Sequence, residues 1–147
     1  KVSVIIRTYN RPDFLKQALS SVHFQTHKDW EVLIFDDSAD DTNIGVYKSF
    51  KETHPENRIL YITSATPHYL QKESWSLGFK LADGDLCVRL DDDDLLKEDA
   101  LEFLSKTYNE NPKLDFSYGS AVYFDENGLD YINETKTPYE APTTKDI

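Results

Sequence analysis

The feature that most constrains the fold is the alternation of short apolar runs with longer segments of helical periodicity. Four of these runs are short enough to be buried strands, and they occupy residues 2–6, 30–35, 58–62 and 86–90. Each run is followed by a segment with apolar residues at helical spacing. Because strands that alternate with helices form parallel sheets with right-handed crossovers, this order predicts an α/β fold with a Rossmann-like, mostly parallel sheet flanked by helices.

Local signals indicate where the helices begin and end. Pro12 suits the first turn of the first helix, since its missing N–H would have no partner there. Asp40 can open the second helix, and periodicity predicts the third over residues 71–82 and the fourth over 98–110. Gly84 closes the third helix, because glycine is the usual residue just past a helix end.

The C-terminal part of the chain is less regular. Residues 115–124 alternate enough to predict a fifth strand, and Asn127-Gly128 predicts a hairpin turn. Residues 129–133 would then pair back antiparallel. The last stretch, 135–147, holds two prolines and has little periodicity.

Composition excludes some classes of function. The net charge of −11 argues against nucleic-acid binding, which needs a basic face to neutralise phosphates. The only cysteine, Cys87, cannot form an intrachain disulfide and fits a reducing, cytoplasmic compartment. Its apolar neighbours predict that it packs in the core. No apolar stretch approaches the roughly 20 residues of a membrane-spanning helix.

Polar side chains follow three of the four predicted strands. Because ligands of such sheets bind beyond the carboxyl ends of the strands, these side chains are expected to line one site. They are Thr8 and Tyr9 after the first strand, Asp36 and Asp37 after the second, and the four aspartates from Asp91 to Asp94 after the fourth.

The four consecutive aspartates predict a cation. At about 4 Å and an effective dielectric of about 20, one like-charge pair costs roughly 4 kcal/mol. A hard divalent ion, which prefers oxygen ligands, would relieve this repulsion and could hold nucleotide phosphates. One alternative is a solvated acidic turn near the N-terminus of the next helix. A calcium loop of the EF-hand type fits poorly, because Leu96 stands where that loop requires glycine.

Four further residues each have two interpretations, namely Asp36, Asp37, Tyr9 and Lys72. Asp36 or Asp37 could accept a hydrogen bond from a base N–H or a ribose hydroxyl, or could only cap the strand end. Tyr9 could stack on a base or pack in the core, and Lys72 could contact the nucleotide or simply be solvated. The glycine-rich phosphate fingerprint of dinucleotide folds is absent, so phosphate binding is expected to depend on the metal.

These motifs, in this order and spacing, resemble those of family 2 glycosyltransferases. The resemblance runs from residue 2 to about residue 124. The segments that carry it are residues 2–12, Ser20-Ser21-Val22 with Gln25-Thr26, Asp36-Asp37-Ser38, Ala82-Asp83-Gly84-Asp85 and Leu90-Asp91-Asp92-Asp93-Asp94. Each motif is weak alone, whereas the ordered set is specific.

The resemblance implies a GT-A fold and transfer of a sugar, with inversion, from a nucleotide-sugar donor that is usually UDP-linked. It implies Mn²⁺ or Mg²⁺ at the Asp-X-Asp motif, with Asp91 and Asp93 as metal ligands. Donor contacts would come from Thr8, Tyr9, Asp36, Asp37, Lys72, Asp91 and Asp92. The chain departs from the family at Arg7, where proline is common, at Ser38, which directly follows Asp37 where a glycine is common, and at Trp75-Ser76, where an Arg-Asn pair is common.

Residues 1–147 are expected to form a single nucleotide-sugar-binding domain that lacks part of the acceptor-binding half. In the family the general base is a carboxylate in a later segment, so it is expected beyond residue 147; Asp125 and Glu126 are poor candidates. The resemblance implies a sugar or glycolipid acceptor, polysaccharide or glycoconjugate synthesis, and a cytoplasmic location at the inner face of the membrane as a peripheral protein.

Three other functions share some of these features. A binding module would keep the nucleotide-sugar pocket without turnover. A nucleotidyltransferase would show a glycine-rich basic loop after the first strand, which this chain lacks. A phospho-acceptor signalling domain would carry its acids after the first and third strands, whereas here they follow the second and fourth.

Overall fold

A four-stranded parallel sheet forms the centre of the fold, in a computed structural model that describes residues 1–66, 69–117, 119, 122–124 and 130–131. Its strands are β1 (Val2–Thr8), β2 (Trp30–Asp36), β3 (Ile59–Thr63) and β4 (Leu86–Asp91). They lie in the order β3-β2-β1-β4, so β1 is central and β4 is an edge strand. The predicted strands and their parallel pairing are confirmed.

Helices cover both faces of this sheet. They are α1 (Pro12–His23), α2 (Ile44–Thr53), α3 (Tyr69–Leu81) and α4 (Ala100–Glu110). Their bounds differ from the predicted ones by a few residues, which is usual because helix ends are weakly encoded. Among the described residues, no helix is long and apolar enough to cross a membrane.

Side chains alternate between the two faces and build two apolar clusters. Val4 and Ile6 of β1 face α1, α2 and α4, whereas Ile5 faces α3. The larger cluster includes the predicted inner face of α1, namely Leu15, Ala18, Leu19 and Val22. The smaller one joins Ile5 to Leu33, Phe35 and Leu70. The near-continuous apolar strands follow from burial on both faces.

Cys87 corrects one prediction. Its apolar neighbours predicted a core position, but Cys87 is exposed. The reason is its place on β4, an edge strand. Odd-numbered residues of β4 lie on the face of α3, which packs on β1 and β2. Partial burial, followed by the charge of Glu31, raises the pKa of the Cys87 thiol.

The chain divides into two compact units, Lys1–Pro112 and Lys113–Ile147. In the second unit, β5 (Tyr123–Phe124) pairs antiparallel with β6 (Asp130–Tyr131), which confirms the predicted return of the chain. The predicted turn at Asn127-Gly128 lies outside the described residues, as do Asp125 and Glu126. The strand predicted from residue 115 is wrong at 115–117, which are irregular and exposed.

The buried carboxylate of Glu31 connects the amino end of β2 with β1, with the turn after α3 and with Arg58, which precedes β3. Glu31 is fully buried; its Oε1 accepts hydrogen bonds from the Ser3 hydroxyl and the Asp83 backbone N–H, and its Oε2 pairs with Arg58. Burial alone would raise the pKa of Glu31, but these hydrogen bonds and the Arg58 charge together lower that pKa below its ordinary value. The ionised form is therefore the one that fits the fold.

Gly84 lies where the turn after α3 approaches β1 most closely. A Cβ on Gly84 would lie 2.7 Å from Ser3 Oγ, 2.9 Å from Ser3 N and 2.8 Å from the Lys1 carbonyl oxygen. We expect Gly84→Ala to lower the free energy of unfolding by about 2 kcal/mol, because backbone atoms cannot move aside as a side chain can. Urea unfolding measures this.

Gly45→Ala is the matched control, because a Cβ there meets nothing within 4 Å. It lies in α2, where alanine is favoured over glycine by about 1 kcal/mol, so its stability should stay equal or rise. Equal stability of the Gly84 and Gly45 variants would contradict the close approach described for Gly84.

Candidate functional site

A cleft of about 430 Å³ opens at the carboxyl ends of β1, β2 and β4. This volume lies within the range of small-molecule sites. The register explains the convergence, since Thr8 pairs with Asp36 and Arg7 pairs with Asp91 across neighbouring strands. The cleft is lined by Arg7, Thr8, Tyr9, Arg11, Asp37, Gln71, Asp91, Asp92 and Asp93.

The loop after β1 turns sharply at Asn10. Its φ of 50° lies in the left-handed region, which asparagine tolerates better than most residues. The Asn10 backbone N–H donates to Ser38 Oγ at 2.8 Å, which joins this loop to the loop after β2. Arg11 then stands at the N-cap of α1 with Pro12 in the first turn. The turn thus brings Arg11 back towards the acidic loop after β4.

Asp36 is bound within the protein on both carboxylate oxygens. Its Oδ1 accepts from the Ser38 backbone N–H at 2.9 Å and from Asn43 Nδ2 at 3.1 Å, and its Oδ2 accepts from the Tyr61 hydroxyl. Burial, followed by the hydrogen bond to Asp36, raises the pKa of Tyr61. Asp36 itself is 1% exposed and does not appear in the described lining of the cleft. Its geometry is that of a structural bridge between loops.

Asp37 has a different environment from Asp36. Its backbone N–H donates to the Thr8 carbonyl at 3.1 Å, and its Oδ2 accepts from the Gln71 backbone N–H at 3.2 Å. Its Oδ1 is buried and has no hydrogen-bond partner among the described residues. An unsatisfied buried acceptor costs free energy, so a group in this position needs an explanation. A hydrogen-bond donor on a molecule bound in the cleft would supply one.

Asp92 and Asp93 share one cation. Asp92 is 5% exposed; its Oδ2 accepts from the Thr8 hydroxyl at 2.8 Å, and its Oδ1 lies 3.2 Å from Arg11 Nη1. The same Nη1 lies 2.9 Å from Asp93 Oδ2. The charge of Asp92, followed by the hydrogen bond to Asp93, raises the pKa of Arg11.

Asp91 is paired with two further arginines. Arg7 Nη2 lies 3.3 Å from its Oδ1, and Arg89 Nη2 lies 3.0 Å from its Oδ2. Both guanidinium groups lie over the ring of Trp75, at 5.7 Å for Arg7 and 4.4 Å for Arg89. Trp75 also packs against the smaller apolar cluster. Arg89 is therefore part of an ordered cluster beside the cleft.

Asp94 stands apart from the other three acids. Its backbone N–H closes a turn on the Asp91 carbonyl at 3.0 Å, and its side chain is not in the described lining of the cleft. Partial burial, followed by repulsion from Asp93 and Asp91, raises the pKa of Asp94. The four aspartates thus have four different environments, although the sequence repeats one residue type.

The structure brings together most of the side chains expected at the site. Thr8, Tyr9, Asp37 and Asp91 to Asp93 line the cleft, whereas Asp36 supports it from behind. Lys72 is exposed on α3 and is not in the described lining, although its neighbour Gln71 is.

Four lining or bridging residues, Arg7, Arg11, Gln71 and Asn43, were not predicted as site residues. Arg7 and Arg11 neutralise the acids, and Asn43 links Thr8, Asp36 and Ser38. The arginines left a signal in the sequence, since two basic residues flank the end of the first strand opposite an acidic loop. No sequence pattern indicated Asn43, because its contacts depend on how the loops fold over one another.

The donor set suits a divalent cation in type but is arranged around arginines. Within the described part of the chain, no group of three or more His, Cys, Asp or Glu side chains is placed to hold a metal ion. Asp92 Oδ1 and Asp93 Oδ2 nevertheless both contact the same nitrogen, Nη1 of Arg11, so a positive charge fits between these two carboxylates. Carboxylates in this position are the ligands that Mn²⁺ and Mg²⁺ accept.

Comparison with known proteins identifies the family. The sequence profile described as Glycosyl transferase family 2 matches residues 3–146. The chain belongs to this family. A Campylobacter jejuni relative, named GalNAc(5)-diNAcBac-PP-undecaprenol beta-1,3-glucosyltransferase, is 32% identical over 110 residues, which are 75% of this chain and 35% of that protein.

Two solved structures share the fold of this family 2 chain. One is S. aureus TarS 1-349 in complex with UDP-GlcNAc, with a TM-score of 0.64 at 23% identity over 76% of this chain and 32% of that one. The other is a Pyrobaculum calidifontis mannosyltransferase in complex with GDP-Man and Mn²⁺, with a TM-score of 0.65 at 24% identity over 73% of this chain and 32% of that one. These likenesses confirm the predicted GT-A type of α/β fold.

The chain corresponds to only part of its relatives. It spans between 13% and 35% of the lengths of the curated proteins compared here. The match therefore covers the portion of the family that contains the cleft.

Proposed function

We propose that this chain is the donor-binding portion of an inverting glycosyltransferase that uses a nucleotide-sugar, with UDP as the nucleotide. The observation that carries the proposal is the unpartnered Asp37 Oδ1 in a cleft that also holds three acids of the Asp-X-Asp type. Family membership supports the reaction class. The names of the compared proteins include donors with uridine and guanosine nucleotides.

The nucleoside is assigned to the side of the cleft formed by the first two loops. Asp37 Oδ1 would accept a hydrogen bond from a base N–H, which an acidic residue after the second strand can do in related folds. The ring of Tyr9 is 47% exposed and lines the same cleft, so it can stack on a base. Asp36 acts through Asn43 and Ser38 by positioning this loop, because its own oxygens are occupied.

The diphosphate is assigned to the acidic side of the cleft. Asp91 and Asp93 would hold Mn²⁺ or Mg²⁺, while Asp92 and Asp91 would face the ribose and the donor sugar. When bound, the ion supplies Lewis-acid stabilisation of the negative charge that builds on the leaving diphosphate. Thr8 holds Asp92 at 2.8 Å, so it orients this carboxylate and stays close to the nucleotide. Lys72, exposed one residue from Gln71, would reach the phosphates from the rim.

The acceptor side of the reaction belongs to the rest of the protein. Attack by an acceptor hydroxyl on the face opposite the leaving group needs a general base. We assign that base to a carboxylate beyond residue 147, and the acceptor to a sugar or glycolipid in polysaccharide or glycoconjugate synthesis. A cytoplasmic site at the inner face of the membrane, held peripherally, suits such an acceptor.

Replacing Asp37 by alanine tests the nucleoside assignment. We expect Asp37→Ala to weaken UDP binding by about 10- to 100-fold, the range for losing a hydrogen bond to a charged group. Calorimetric titration with UDP in excess Mn²⁺ measures the affinity.

Asp41→Ala is the control for Asp37→Ala, because it removes an equal charge from an exposed position of the same loop. Its UDP affinity should stay within about twofold of the parent, as for an ordinary surface substitution. If both variants bind UDP like the parent, Asp37 has a purely structural role.

A binding module without turnover is the second candidate, because it would use the same cleft and the same unpartnered Asp37 Oδ1. Both candidates bind UDP. Slow hydrolysis or transfer of the sugar from a UDP-sugar, followed by chromatography of the released UDP, would support the enzyme, whereas binding without release would support the module.

A further inference from the structure

Arg11 occupies the acidic pair at the centre of the cleft. A single nitrogen, Nη1, lies 3.2 Å from Asp92 Oδ1 and 2.9 Å from Asp93 Oδ2. Among the described residues, Arg11 is the cation that contacts both of these carboxylates. The Arg11 guanidinium therefore offsets the repulsion between these two adjacent carboxylates, as a small cation would.

The two carboxylates differ in how firmly they are held. Asp92 is buried and fixed by Thr8, whereas the side chain of Asp93 is 51% exposed. The side chain of Arg11 is 49% exposed, and its guanidinium lies 5.8 Å from the ring centre of the exposed Phe14. Arg11 makes no side-chain cap on α1, so the helix does not depend on where its guanidinium lies. Movement of the guanidinium off Asp93 would therefore remove no cap from α1.

We propose that Arg11 is an internal counter-cation that a divalent metal must displace from Asp93, one of the two carboxylates assigned to the ion, and that this exchange strengthens the coupling between metal binding and binding of the nucleotide diphosphate. The inference rests on the proposed function, because it requires a metal and a nucleotide in the cleft. It concerns how this chain controls their order of binding, which the proposed function leaves open.

The coupling follows from charge. Without nucleotide, a divalent ion would compete with Arg11 for the carboxylate of Asp93 and would leave the displaced guanidinium without this anion. With a diphosphate in the cleft, the displaced guanidinium gains a strong partner, since arginine binds phosphate oxygens in a forked geometry. Metal and nucleotide therefore each strengthen the binding of the other, and by linkage the two enhancements are equal.

Arg11→Gln separates the two effects. In the parent chain, saturating UDP should tighten Mn²⁺ binding by about tenfold or more, within the usual range of coupling between sites. In Arg11→Gln, Mn²⁺ alone should bind about fivefold tighter than in the parent, because its competitor is gone, and the enhancement by UDP should fall by about fivefold, to the part that direct contact of the ion with the diphosphate supplies. Calorimetric titration of Mn²⁺ into the 147-residue chain, with and without UDP, measures all four affinities.

Lys16→Gln is the matched control. Lys16 is exposed on α1, lies five residues from Arg11 and is not in the described lining of the cleft. It removes the same charge without removing the contact, so both Mn²⁺ affinities should stay within about twofold of the parent. A thermal unfolding curve for each variant confirms that the fold is intact.

The outcomes separate this inference from the proposed function. If the parent binds Mn²⁺ neither alone nor with UDP, the metal part of the proposed function is overturned together with the role of Arg11. If the parent shows the coupling and Arg11→Gln keeps it unchanged, with no gain in affinity for Mn²⁺ alone, the counter-cation role is overturned and the proposed function stands. Equal effects of Arg11→Gln and Lys16→Gln on the Mn²⁺ affinities would also overturn the counter-cation role, because such effects would reflect the overall charge of the chain.

Discussion

Asp93→Ala should reduce the Mn²⁺-dependent part of UDP affinity by at least about 100-fold. Loss of a residue that merely supports a metal ligand costs about 10- to 100-fold, so loss of a ligand itself should exceed that range. Asp93 is the half-exposed acid of the cleft and shares Arg11 with the buried Asp92, which places it where an incoming ion would meet the site. UDP titrations with Mn²⁺ and with EDTA measure the metal-dependent part.

Asp94→Ala is the control for this experiment, since it removes an equal charge from the next residue, outside the described lining of the cleft. We expect a change of less than about threefold there, from the weakened electrostatic field alone. If Asp93→Ala keeps the full Mn²⁺ dependence of UDP binding, the metal assignment at the acidic loop is wrong, whatever the nucleoside side of the cleft does.

Glu31→Gln should produce the largest loss of stability, about 3 kcal/mol at pH 7. Removing one partner of a buried ion pair costs about 3–5 kcal/mol, and the lower end applies here because Arg58 is 36% exposed and can be rehydrated. Urea unfolding of the variant and the parent gives the difference. Glu110→Gln, which breaks an exposed pair with Lys106, should change stability by less than about 0.5 kcal/mol.

The stability from Glu31 should depend on pH in a defined direction. Its folded-state pKa lies below the ordinary value of 4.5 that it has when unfolded, so the ionised form stabilises the fold. That contribution is fully present above pH 4.5 and is lost as the pH falls through the folded-state pKa. The parent should therefore lose more stability than Glu31→Gln between pH 5 and pH 2; parallel curves would contradict the role given to Glu31.

The acidic loop illustrates how far the sequence could predict the site. The run from Asp91 to Asp94 indicated that some positive charge must lie nearby, and the strand order placed the run at the same edge as Thr8 and Asp37. Which arginine pairs with which carboxylate was not predictable, because Arg7 reaches Asp91 through the register of β1 with β4. Register depends on both neighbouring strands, so the pattern of one strand alone does not give the partner of a particular residue.

Asp36 and Asp37 illustrate the same limit at the level of single residues. The sequence indicated that the pair ends the second strand and could not distinguish the two carboxylates. The folded chain divides them, because Tyr61 and Asn43 occupy the oxygens of Asp36 and leave Asp37 Oδ1 without a partner. Tyr61 and Asn43 come from other elements, so the division required their packing against β2.

By itself, the sequence determined the order of strands and helices, the parallel sheet and the edge at which the polar loops meet. Periodicity and loop composition are local properties of the sequence, so they can be interpreted without knowing which segments become adjacent in the fold. Only the tertiary structure decided that Arg11 bridges Asp92 and Asp93, that Glu31 is buried against Arg58, and that Cys87 is exposed. Ion pairs and burial depend on which segments become adjacent, and distances between residues far apart in sequence exist only once the chain has folded.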